Sequence, residues 1–467
     1  MDTTILSLTK VYHYLIKNYC NSKNFYRFLV AYGVYKTVYY AFFDPLKKVP
    51  GPWWSRFTGI PYALTRINGE ISRYSVKLHD QYGPIVRVAP NQISVSKSKD
   101  IKFVLASYRY PKSKEYMAPI LKEPNLLSTI DEARNRLRRR QVGPAFTYTS
   151  LDTVEDLVLD IGTHSLKAKL FDIIENGDGI GEFSYFNFFQ CIAADVIGEL
   201  TFGKSFDAVK NEGHEVTKQV NFTIQFSTIM QAYPPLIYFR VLFFRLRKYA
   251  IGLGELFRAA IKRRKEEIAN NTYESSRVDI LQMLITSINE KTKKPLTDEE
   301  LGAEMAIMLI AGIDTTSVTM TCGVLFRENG TDDVELSGYH IPRGVDMAMF
   351  TEGAHYDTSI WESPDSYMPE RFLGPDGDRL KKEVIAFSYG VRICLGRNLA
   401  WMEMLTVIPN LMRDFDVRLP DDSKYGPNVL DPERNNEPLL LKDKVFATRT
   451  PISIEGDCRA VVTLRTD

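Results

Sequence analysis

The chain has 467 residues and a nearly balanced charge, with 59 lysines and arginines against 58 aspartates and glutamates, which gives no indication of nucleic-acid or acidic-substrate binding. Its five cysteines form no CxxC or Cys/His cluster, which argues against a disulfide framework or structural zinc and favours a reducing compartment. No Gly/Ser-rich or Pro-rich linker divides the sequence, so we expect one large domain at 45–467 behind an N-terminal segment at 1–44.

An apolar, aromatic stretch at residues 25–43 is about long enough to cross a bilayer as a helix. Arg27 and Lys36 interrupt it, and its tyrosines and phenylalanines suit the headgroup region, so the stretch is equally typical of a helix lying in the membrane surface. A buried amphipathic helix packed on the domain is a further alternative. The Pro-Gly-Pro turn at 50–52 cannot continue a helix. We therefore expect a membrane anchor followed by a hinge.

Beyond this turn, the sequence predicts helices with a minor strand component. Residues 82–96 alternate and are rich in valine and isoleucine, which predicts two short strands around a turn. Apolar residues recur with helical spacing over most of 150–326. The longest helix starts at a capping box, Thr297 to Glu300, and nothing breaks it before about Phe326. The expected fold class is mainly α with small β-sheets.

The stretch FSYGVRICLG runs from Phe387 to Gly396 and holds Cys394 between that glycine and Gly390, with Arg392 two residues before the cysteine. A thiolate that ligates haem iron needs close approach of the backbone, which glycine allows, and donors that stabilise its charge. The helical spacing of apolar residues after the second glycine predicts a helix whose positive end lies near the sulfur. The alternative is a buried structural cysteine in a tight turn.

Five positions, Phe387, Gly390, Arg392, Cys394 and Gly396, match the pattern F-x-x-G-x-R-x-C-x-G, and the chain thereby resembles the cytochrome P-450 family. The resemblance implies the cytochrome P-450 fold with a single large haem domain, and haem b with Cys394 as the ligand of its iron. It also implies that Arg392 contacts a haem propionate, that Phe387 covers the proximal face, and that the thiolate favours cleavage of the O–O bond.

Within the long helix, Ala311, Gly312, Asp314 and Thr315 resemble the oxygen-activation motif of that family. The resemblance implies that Ala311 and Gly312 leave a groove above the iron. It further implies that Asp314 and Thr315 are an acid–alcohol pair that delivers protons. A kink, or a hydrogen bond of the threonine to its own helix, is the alternative explanation of this polar pair.

Two other stretches resemble family segments around the haem. Counting back from Pro144 places Arg139 at the arginine that contacts the propionates, whereas Asn135 stands where the family has an aromatic residue or histidine. Arg371, in PDSYMPERF, matches the arginine of the meander that supports the haem loop. Most other arginines at 134–140 are expected to be solvated, and some to form a docking patch for an acidic electron-transfer partner.

One departure from the family concerns a helix carrying E-x-x-R, which the family has between the oxygen-activation helix and the strands that follow. Here the sequence passes directly into RENGTDDVELSGYHIPRG, so we expect an internal deletion of several dozen residues near 326–327. Loss of the partners of Arg371 would leave a buried charge uncompensated, which typically costs about 3–5 kcal/mol and would loosen the haem loop.

The resemblance covers nearly the whole chain from about residue 45 and implies a fungal microsomal haem-thiolate monooxygenase. Its substrate would be a lipophilic small molecule, such as a terpenoid or polyketide of secondary metabolism, which it hydroxylates or epoxidises. The implied partners are an NADPH-cytochrome reductase, a b-type cytochrome and the cytosolic face of the endoplasmic reticulum membrane, with no nucleic acid. The alternative is a truncated, catalytically impaired or non-catalytic product of splicing or gene prediction. A haem-thiolate isomerase or peroxygenase is a third hypothesis.

Overall fold

A computed structural model describes residues 22–117, 123–272, 279–288, 294–317, 324–330 and 334–466. The α-helices are α1 (Ser22–Val38), α2 (Ile60–Ile67), α3 (Ile71–Tyr82), α4 (Ser98–Leu105), α5 (Glu132–Val142), α6 (Tyr148–Asp152), α7 (Glu155–Val158), α8 (Ser165–Asn176), α9 (Tyr185–Phe202), α10 (Glu215–Ala232), α11 (Phe244–Ala269), α12 (Ile280–Thr286), α13 (Asp298–Ser317), α14 (Thr351–His355), α15 (Gly377–Glu383), α16 (Arg397–Asp414) and α17 (Ile454–Asp457). The strands are β1 (Ile85–Ala89), β2 (Gln92–Val95), β3 (Gly181–Ser184), β4 (Val324–Glu328), β5 (Val334–Leu336), β6 (Tyr339–Ile341), β7 (Asp346–Phe350), β8 (Phe415–Arg418), β9 (Leu430–Asp431), β10 (Glu437–Pro438), β11 (Asp443–Val445), β12 (Arg449–Pro451) and β13 (Arg459–Leu464). The predicted mainly α architecture with small sheets is confirmed.

The helical core is built around α9 and α13, which pack along each other. Helix α9 is apolar on nearly every side and is buried over most of its length, as a helix without a polar face must be. Helix α13 starts at the predicted capping box: the Thr297 hydroxyl accepts from the Glu300 amide at 3.2 Å, and the Glu300 carboxylate accepts from the Thr297 amide at 3.0 Å. Leu296 and Leu301 beside the cap are both buried.

The predicted C-terminal end of this helix is wrong. Helix α13 ends at Ser317, residues 318–323 lie outside the described part, and Val324 already belongs to β4. This strand pairs antiparallel with β7, with Phe326 opposite Ala348. A short apolar run fits a helix or a strand equally well by periodicity, and backbone pairing with the edge of β7 decides for the strand.

The main sheet has the strand order β1-β2-β7-β4, and a second sheet has the order β3-β13-β8. The antiparallel β1–β2 hairpin was predicted from alternation and is confirmed. One hydrophobic core lies among the helices and includes Leu399 of α16, and a second lies on this sheet and includes Ile385. The loop at 387–396 therefore connects the two cores along the chain.

The Pro-Gly-Pro turn is packed onto β1. A Cβ on Gly51 would lie 2.4 Å from the carbonyl oxygen of Arg87, so only glycine fits there. The Arg87 guanidinium is buried and forms an ion pair with Asp44. The expected hinge is therefore fixed to the domain. Movement of the turn away from β1 would separate Asp44 from Arg87 and leave the buried guanidinium without its carboxylate.

Helix α1 carries exposed aromatic side chains on several sides, including Tyr26, Phe28 and Tyr35. This exposure does not agree with the alternative in which the helix is buried against the domain. Within the described part of the chain, no helix combines the length and apolar character that a membrane crossing requires.

Candidate functional site

The predicted cysteine loop is a tight turn in front of α16. The amide of Cys394 donates to the carbonyl of Phe387 at 2.8 Å, and a short 3-10 turn, Gly390–Arg392, lies between them. The Phe387 ring lies 6.3 Å from the ring of Trp401 on α16. The Cys394 side chain is exposed, unlike Cys191 and Cys458, so it differs from a buried structural cysteine.

The surroundings of the Cys394 sulfur act on the pKa of its thiol in opposite directions. Helix α16 begins at Arg397, so its positive end lies next to the cysteine, as the sequence predicted. Desolvation by neighbouring protein atoms raises the pKa of the Cys394 thiol. The backbone N–H of Gly396, the charge of Arg139, and both the charge and the backbone N–H of Arg397 act to lower that pKa. Desolvation is the larger effect, so the pKa of the thiol is raised overall; the lowering groups would stabilise the anionic sulfur once a metal replaces its proton.

The two glycines of the loop have different roles. Gly390 has a positive φ of 66°, and a Cβ there would lie 2.5 Å from the Cα of Ala106 at the end of α4. Its smallness therefore serves the packing of the loop on α4, and its expected role in the approach to a metal stays a prediction. At Gly396 a Cβ would meet no atom within 4 Å, so this glycine borders open space beside the cysteine.

The two predicted propionate contacts, Arg139 and Arg392, lie in one cationic cluster. The Arg139 guanidinium donates to the carbonyl of Ile393 at 3.0 Å, and Arg392 forms an ion pair with Glu132. Desolvation, followed by the charge of Arg327, lowers the pKa of Arg392. The Nε of Arg392 is buried and makes no hydrogen bond within the described structure.

Lys112 and Arg327 complete this cluster, and sequence reasoning missed both. Desolvation lowers the pKa of Lys112 to about 7, helped by the charges of Arg392, Arg327 and Arg139. Glu132 is the carboxylate that acts in the opposite direction. Both new members are buried and pair as a β-bridge. No local signal could have identified them, because they lie more than two hundred residues apart and meet only in the fold.

This arrangement fits the expected haem. Three arginines, Arg392, Arg327 and Arg139, act on Lys112, and Glu132 is the one carboxylate among the groups that shift the pKa of this lysine; buried cations are normally matched by anions. Haem would supply both the anion and the metal: its two propionates carry negative charge, and its iron is the metal that a thiolate binds. The donor set of the described residues is therefore compatible with haem.

The predicted oxygen-activation motif presents two different faces on α13. Ala311 and Thr315, four residues apart, are both exposed, and the threonine hydroxyl donates to the alanine carbonyl. A Cβ on Gly312 would lie 2.6 Å from Ile197 on α9. The expectation that Gly312 opens a groove is thus wrong: its smallness lets two helices approach. The alternative of a local threonine hydrogen bond describes the geometry of Thr315 correctly.

Asp314 is buried and lies on another side of the helix from the exposed pair. Desolvation raises the pKa of its carboxyl to about 7. Its Oδ2 accepts a hydrogen bond from the hydroxyl of Thr448, in the turn between β11 and β12. A carboxyl with this pKa can both hold and release a proton near neutrality. Thr448 lies in no motif, so the sequence did not indicate this contact.

Helix α5 connects the two halves of the site. Arg138, which the sequence did not single out as buried, lies 2.7 Å from Glu300 and 3.2 Å from Glu304, both on α13. Its neighbour Arg139 contacts the cysteine loop. Asn135 is buried and donates to the carbonyl of Leu126 at 2.8 Å, so it supports the loop before α5.

The charge of Arg371 is not buried, in contrast to the expectation from the sequence. This side chain is only partly buried, and its guanidinium donates to the carbonyls of Glu362, Ser363, Ser366 and Met368, at 2.9, 3.2, 3.1 and 3.0 Å. The expected cost and loosening do not apply, because the meander itself satisfies the arginine and solvent reaches it.

Comparisons with known proteins agree with this geometry. The sequence model of the cytochrome P450 family matches residues 48–329 and 324–433. The chain is 27% identical to cytochrome P450 monooxygenase helB1 of Aspergillus fumigatus over 496 residues, which covers 92% of this chain and 84% of the relative. It is 28% identical to helB2 of the same fungus over 493 residues, which covers 90% of this chain and 94% of the relative.

A solved structure supports the fold. The retinoic acid-bound cyanobacterial CYP120A1 matches with a TM-score of 0.68 at 19% identity, over 89% of this chain and 99% of that chain. The helical core, the small sheets and the cysteine loop in front of α16 agree with the family match over most of the chain. The chain therefore belongs to the cytochrome P450 family.

Proposed function

We propose that the chain is a haem-thiolate monooxygenase that hydroxylates or epoxidises a lipophilic small molecule of fungal secondary metabolism. Family and fold imply an oxidoreductase with a haem-iron cofactor. The fungal relatives, helB1 and acrD among them, are named as monooxygenases. The observation that carries the proposal is the exposed thiol of Cys394 at the start of α16, next to the cationic cluster.

Named residues would hold the cofactor. Cys394 would ligate the iron, and Arg139, Arg392, Arg327 and Lys112 would neutralise the two propionates. When bound, the haem supplies the activation of O2. Gly396 leaves space beside the sulfur, and Phe387 would shield the proximal face.

The protein groups that would handle protons are Asp314 and Thr315. Asp314 can exchange a proton near neutral pH because burial raises its pKa to about 7. Thr315 and Ala311 present the exposed face of α13. The Thr315 hydroxyl donates to the Ala311 carbonyl, which fixes its position, so we infer that this hydroxyl orients a proton. We infer from its raised pKa that Asp314 supplies a proton.

A reduced carbon monoxide difference spectrum of the purified chain tests this assignment. We expect the Soret band of an intact thiolate-ligated haem, and its loss in Cys394→Ser. The matched control is Cys191→Ala, which changes a buried cysteine on α9 and should leave the band unchanged. An unaltered spectrum of Cys394→Ser would contradict the proposal.

Association with the endoplasmic reticulum membrane is supported by two apolar surfaces. The first is the aromatic surface of α1. The second precedes and opens α11 and consists of exposed Tyr238, Val241, Leu242 and Phe244. Beside the second surface, Ala232 and Tyr233 line a cavity of about 380 Å³ together with Ile60 of α2. Both surfaces suit the interfacial region of a bilayer, and the cavity between α2 and α10 would admit a lipophilic substrate from it.

Co-sedimentation with phosphatidylcholine vesicles tests the membrane proposal. Replacing Tyr238, Val241, Leu242 and Phe244 with serine should lower the partition coefficient by about tenfold or more, since each buried apolar side chain contributes about 1.5–3 kcal/mol. The control is the double variant Leu430→Ser/Leu440→Ser. It changes two exposed leucines outside both apolar surfaces and should bind vesicles as the unmodified chain does. Equal binding of both variants would exclude this surface as a membrane contact.

We further infer that an NADPH-cytochrome reductase, and a b-type cytochrome as a second donor, deliver electrons to this chain. Arg136 and Arg140 on α5 and Arg397 beside the cysteine are exposed cations that suit an acidic partner. The alternative of a non-catalytic chain is not favoured, since the cysteine, the cationic cluster and the acid–alcohol pair are all present.

A further inference from the structure

The cavity between α2 and α10 has a group of polar side chains in an otherwise mostly apolar wall. Its volume is about 380 Å³, which lies within the range of small-molecule pockets. The apolar part of the wall comes from α2, from the end of β1 and from the end of α10, and includes Ile60, Ala63, Ala89, Pro90, Ala232 and Tyr233. The charged and amide side chains of the wall, which we call the polar triad, are Arg66, Gln92 and Glu115.

Two members of the polar triad form an ion pair. The Nη1 of Arg66 lies 2.6 Å from the Oε2 of Glu115. Arg66 is only 7% exposed, and its guanidinium lies 4.8 Å from the centre of the Phe326 ring. Among the described residues, the contact with Glu115 is the one hydrogen bond of this guanidinium, so other N–H groups of the arginine remain available to a ligand. The pair carries no net charge.

Gln92 is the member of the triad that indicates a ligand. It is 8% exposed and lines the cavity from β2. In the part of the chain that the structure describes, its side-chain amide makes no hydrogen bond. A buried amide without a partner destabilises a fold, and the large majority of buried polar side chains have one. An oxygen atom of a molecule in the cavity would supply this partner.

We propose that this cavity binds an uncharged lipophilic molecule through a hydroxyl or carbonyl oxygen that contacts the polar triad. Gln92 and Arg66 donate to this oxygen, and the apolar body of the molecule packs against α2 and α10. A carboxylate is disfavoured because Glu115 already neutralises the arginine and repels a second anion. The triad therefore selects for a ligand that is oxygenated but not acidic.

The position of the triad relates this site to the rest of the molecule. Phe326, which lies against Arg66, is 6.5 Å from the ring of Tyr116, and that ring is 5.9 Å from the guanidinium of Arg327 in the cationic cluster. Tyr233, which lines the cavity, is 41% exposed and precedes the apolar surface that opens α11. This inference rests on the proposed function, since it narrows the lipophilic substrate to one that already carries a hydroxyl or carbonyl group.

Equilibrium dialysis of the purified full chain against decan-1-ol and decanoate tests the inference. The two probes share an apolar chain and differ in the charge of the head group, and we expect the alcohol to bind about tenfold or more tightly than the acid. Gln92→Leu should weaken binding of decan-1-ol by about fivefold, the effect of one hydrogen bond. The matched control is Gln81→Leu, which changes an exposed glutamine of α3 outside the cavity and should bind as the unmodified chain does.

Glu115→Gln gives a test that depends on a gain of binding. This variant removes the negative charge beside Arg66, so decanoate should bind about tenfold or more tightly than it binds the unmodified chain. Ala63→Trp fills the cavity from α2 and should abolish binding of both probes. Equal binding of the two probes to the unmodified chain, or unchanged binding of decanoate to Glu115→Gln, would overturn the proposal. Binding that survives in Ala63→Trp would place the probes elsewhere and would also overturn it.

These measurements need neither haem nor turnover. If they fail while the Soret band of the thiolate-ligated haem is present, the monooxygenase assignment stands and the binding site does not. If the band is absent while decan-1-ol binds selectively, the binding site stands and the monooxygenase assignment does not.

Discussion

At the level of single residues, the cationic cluster around Lys112 and Arg327 is the strongest link between this chain and its cofactor. Buried cations without matching anions destabilise a fold, so a bound anion such as a haem propionate would stabilise this cluster. We expect Arg327→Gln and Lys112→Met each to weaken haem binding by about tenfold or more, because a charged hydrogen bond contributes about 1.5–3 kcal/mol. Titration of haem into the purified chain measures this.

The control for this prediction is twofold. Arg140→Gln removes an exposed arginine of α5 that lies outside the cluster, and this variant should bind haem as the unmodified chain does. With haem dimethyl ester, whose propionates carry no charge, Arg327→Gln and the unmodified chain should bind equally. A persistent difference with the ester would show that Arg327 acts on the fold and not on the propionates.

Asp314 gives a second prediction for single residues. Its pKa is raised to about 7 in the folded chain from a usual 3.8, so folding takes up a proton between these values, and this contribution to stability is lost as pH rises from about 4 through about 7. The loss is on the order of 4 kcal/mol. Relative to the unmodified chain, Asp314→Asn should become more stable with rising pH, as measured by urea unfolding at pH 5, 6, 7 and 8.

Thr448→Val sharpens that measurement. Its hydroxyl donates to the Asp314 carboxylate, so its removal should raise the Asp314 pKa further and move the stability loss to higher pH. A parallel pH dependence of Asp314→Asn and the unmodified chain would exclude Asp314 as the titrating group.

At the level of elements, the packing of α13 on α9 depends on Gly312. A methyl group there would lie 2.6 Å from Ile197, so we expect Gly312→Ala to destabilise the chain by about 1–3 kcal/mol, measured by thermal or urea unfolding. Ile197→Ala should relieve most of this cost in the double variant. Gly302→Ala, in the same helix but with no atom within 4 Å, should instead stabilise by about 0.5–1 kcal/mol. Equal effects at the two glycines would contradict the close approach of the helices.

For the whole molecule, two partly buried histidines set the acid limit of stability. Desolvation lowers the pKa of both His79 and His355 to about 4 from 6.5. Their neutral forms are favoured in the folded chain, so the free energy of unfolding falls as pH drops from about 6.5 towards 4, by on the order of 3 kcal/mol for each histidine. His79 bonds to Ser94 of the sheet, and His355 accepts from the amide of Ile385 before the cysteine loop.

A double variant, His79→Gln/His355→Gln, tests this acid limit. It should be less stable than the unmodified chain at pH 7 but should lose less stability between pH 6.5 and pH 4. Urea unfolding across that range measures the difference. If the double variant loses as much stability between pH 6.5 and pH 4 as the unmodified chain does, the loss belongs to groups other than these histidines.

Local chemistry in the sequence by itself determined the start of α13, the β1–β2 hairpin and the cysteine loop. Each depends on residues within a few positions of one another: the capping box at Thr297, the alternation in 82–96, and the spacing around Cys394. Such signals act before any long-range contact forms, so they can be interpreted without the fold.

Only the tertiary structure decided where α13 ends, which way Gly312 faces, and which groups surround Arg392 and Arg371. The run before Arg327 becomes a strand because the edge of β7 offers backbone partners. Lys112 joins the cluster because a separate antiparallel β-bridge pairs it with that arginine. These outcomes depend on contacts between residues far apart in the chain, whose energies outweigh weak local preferences and leave no periodic trace in the sequence.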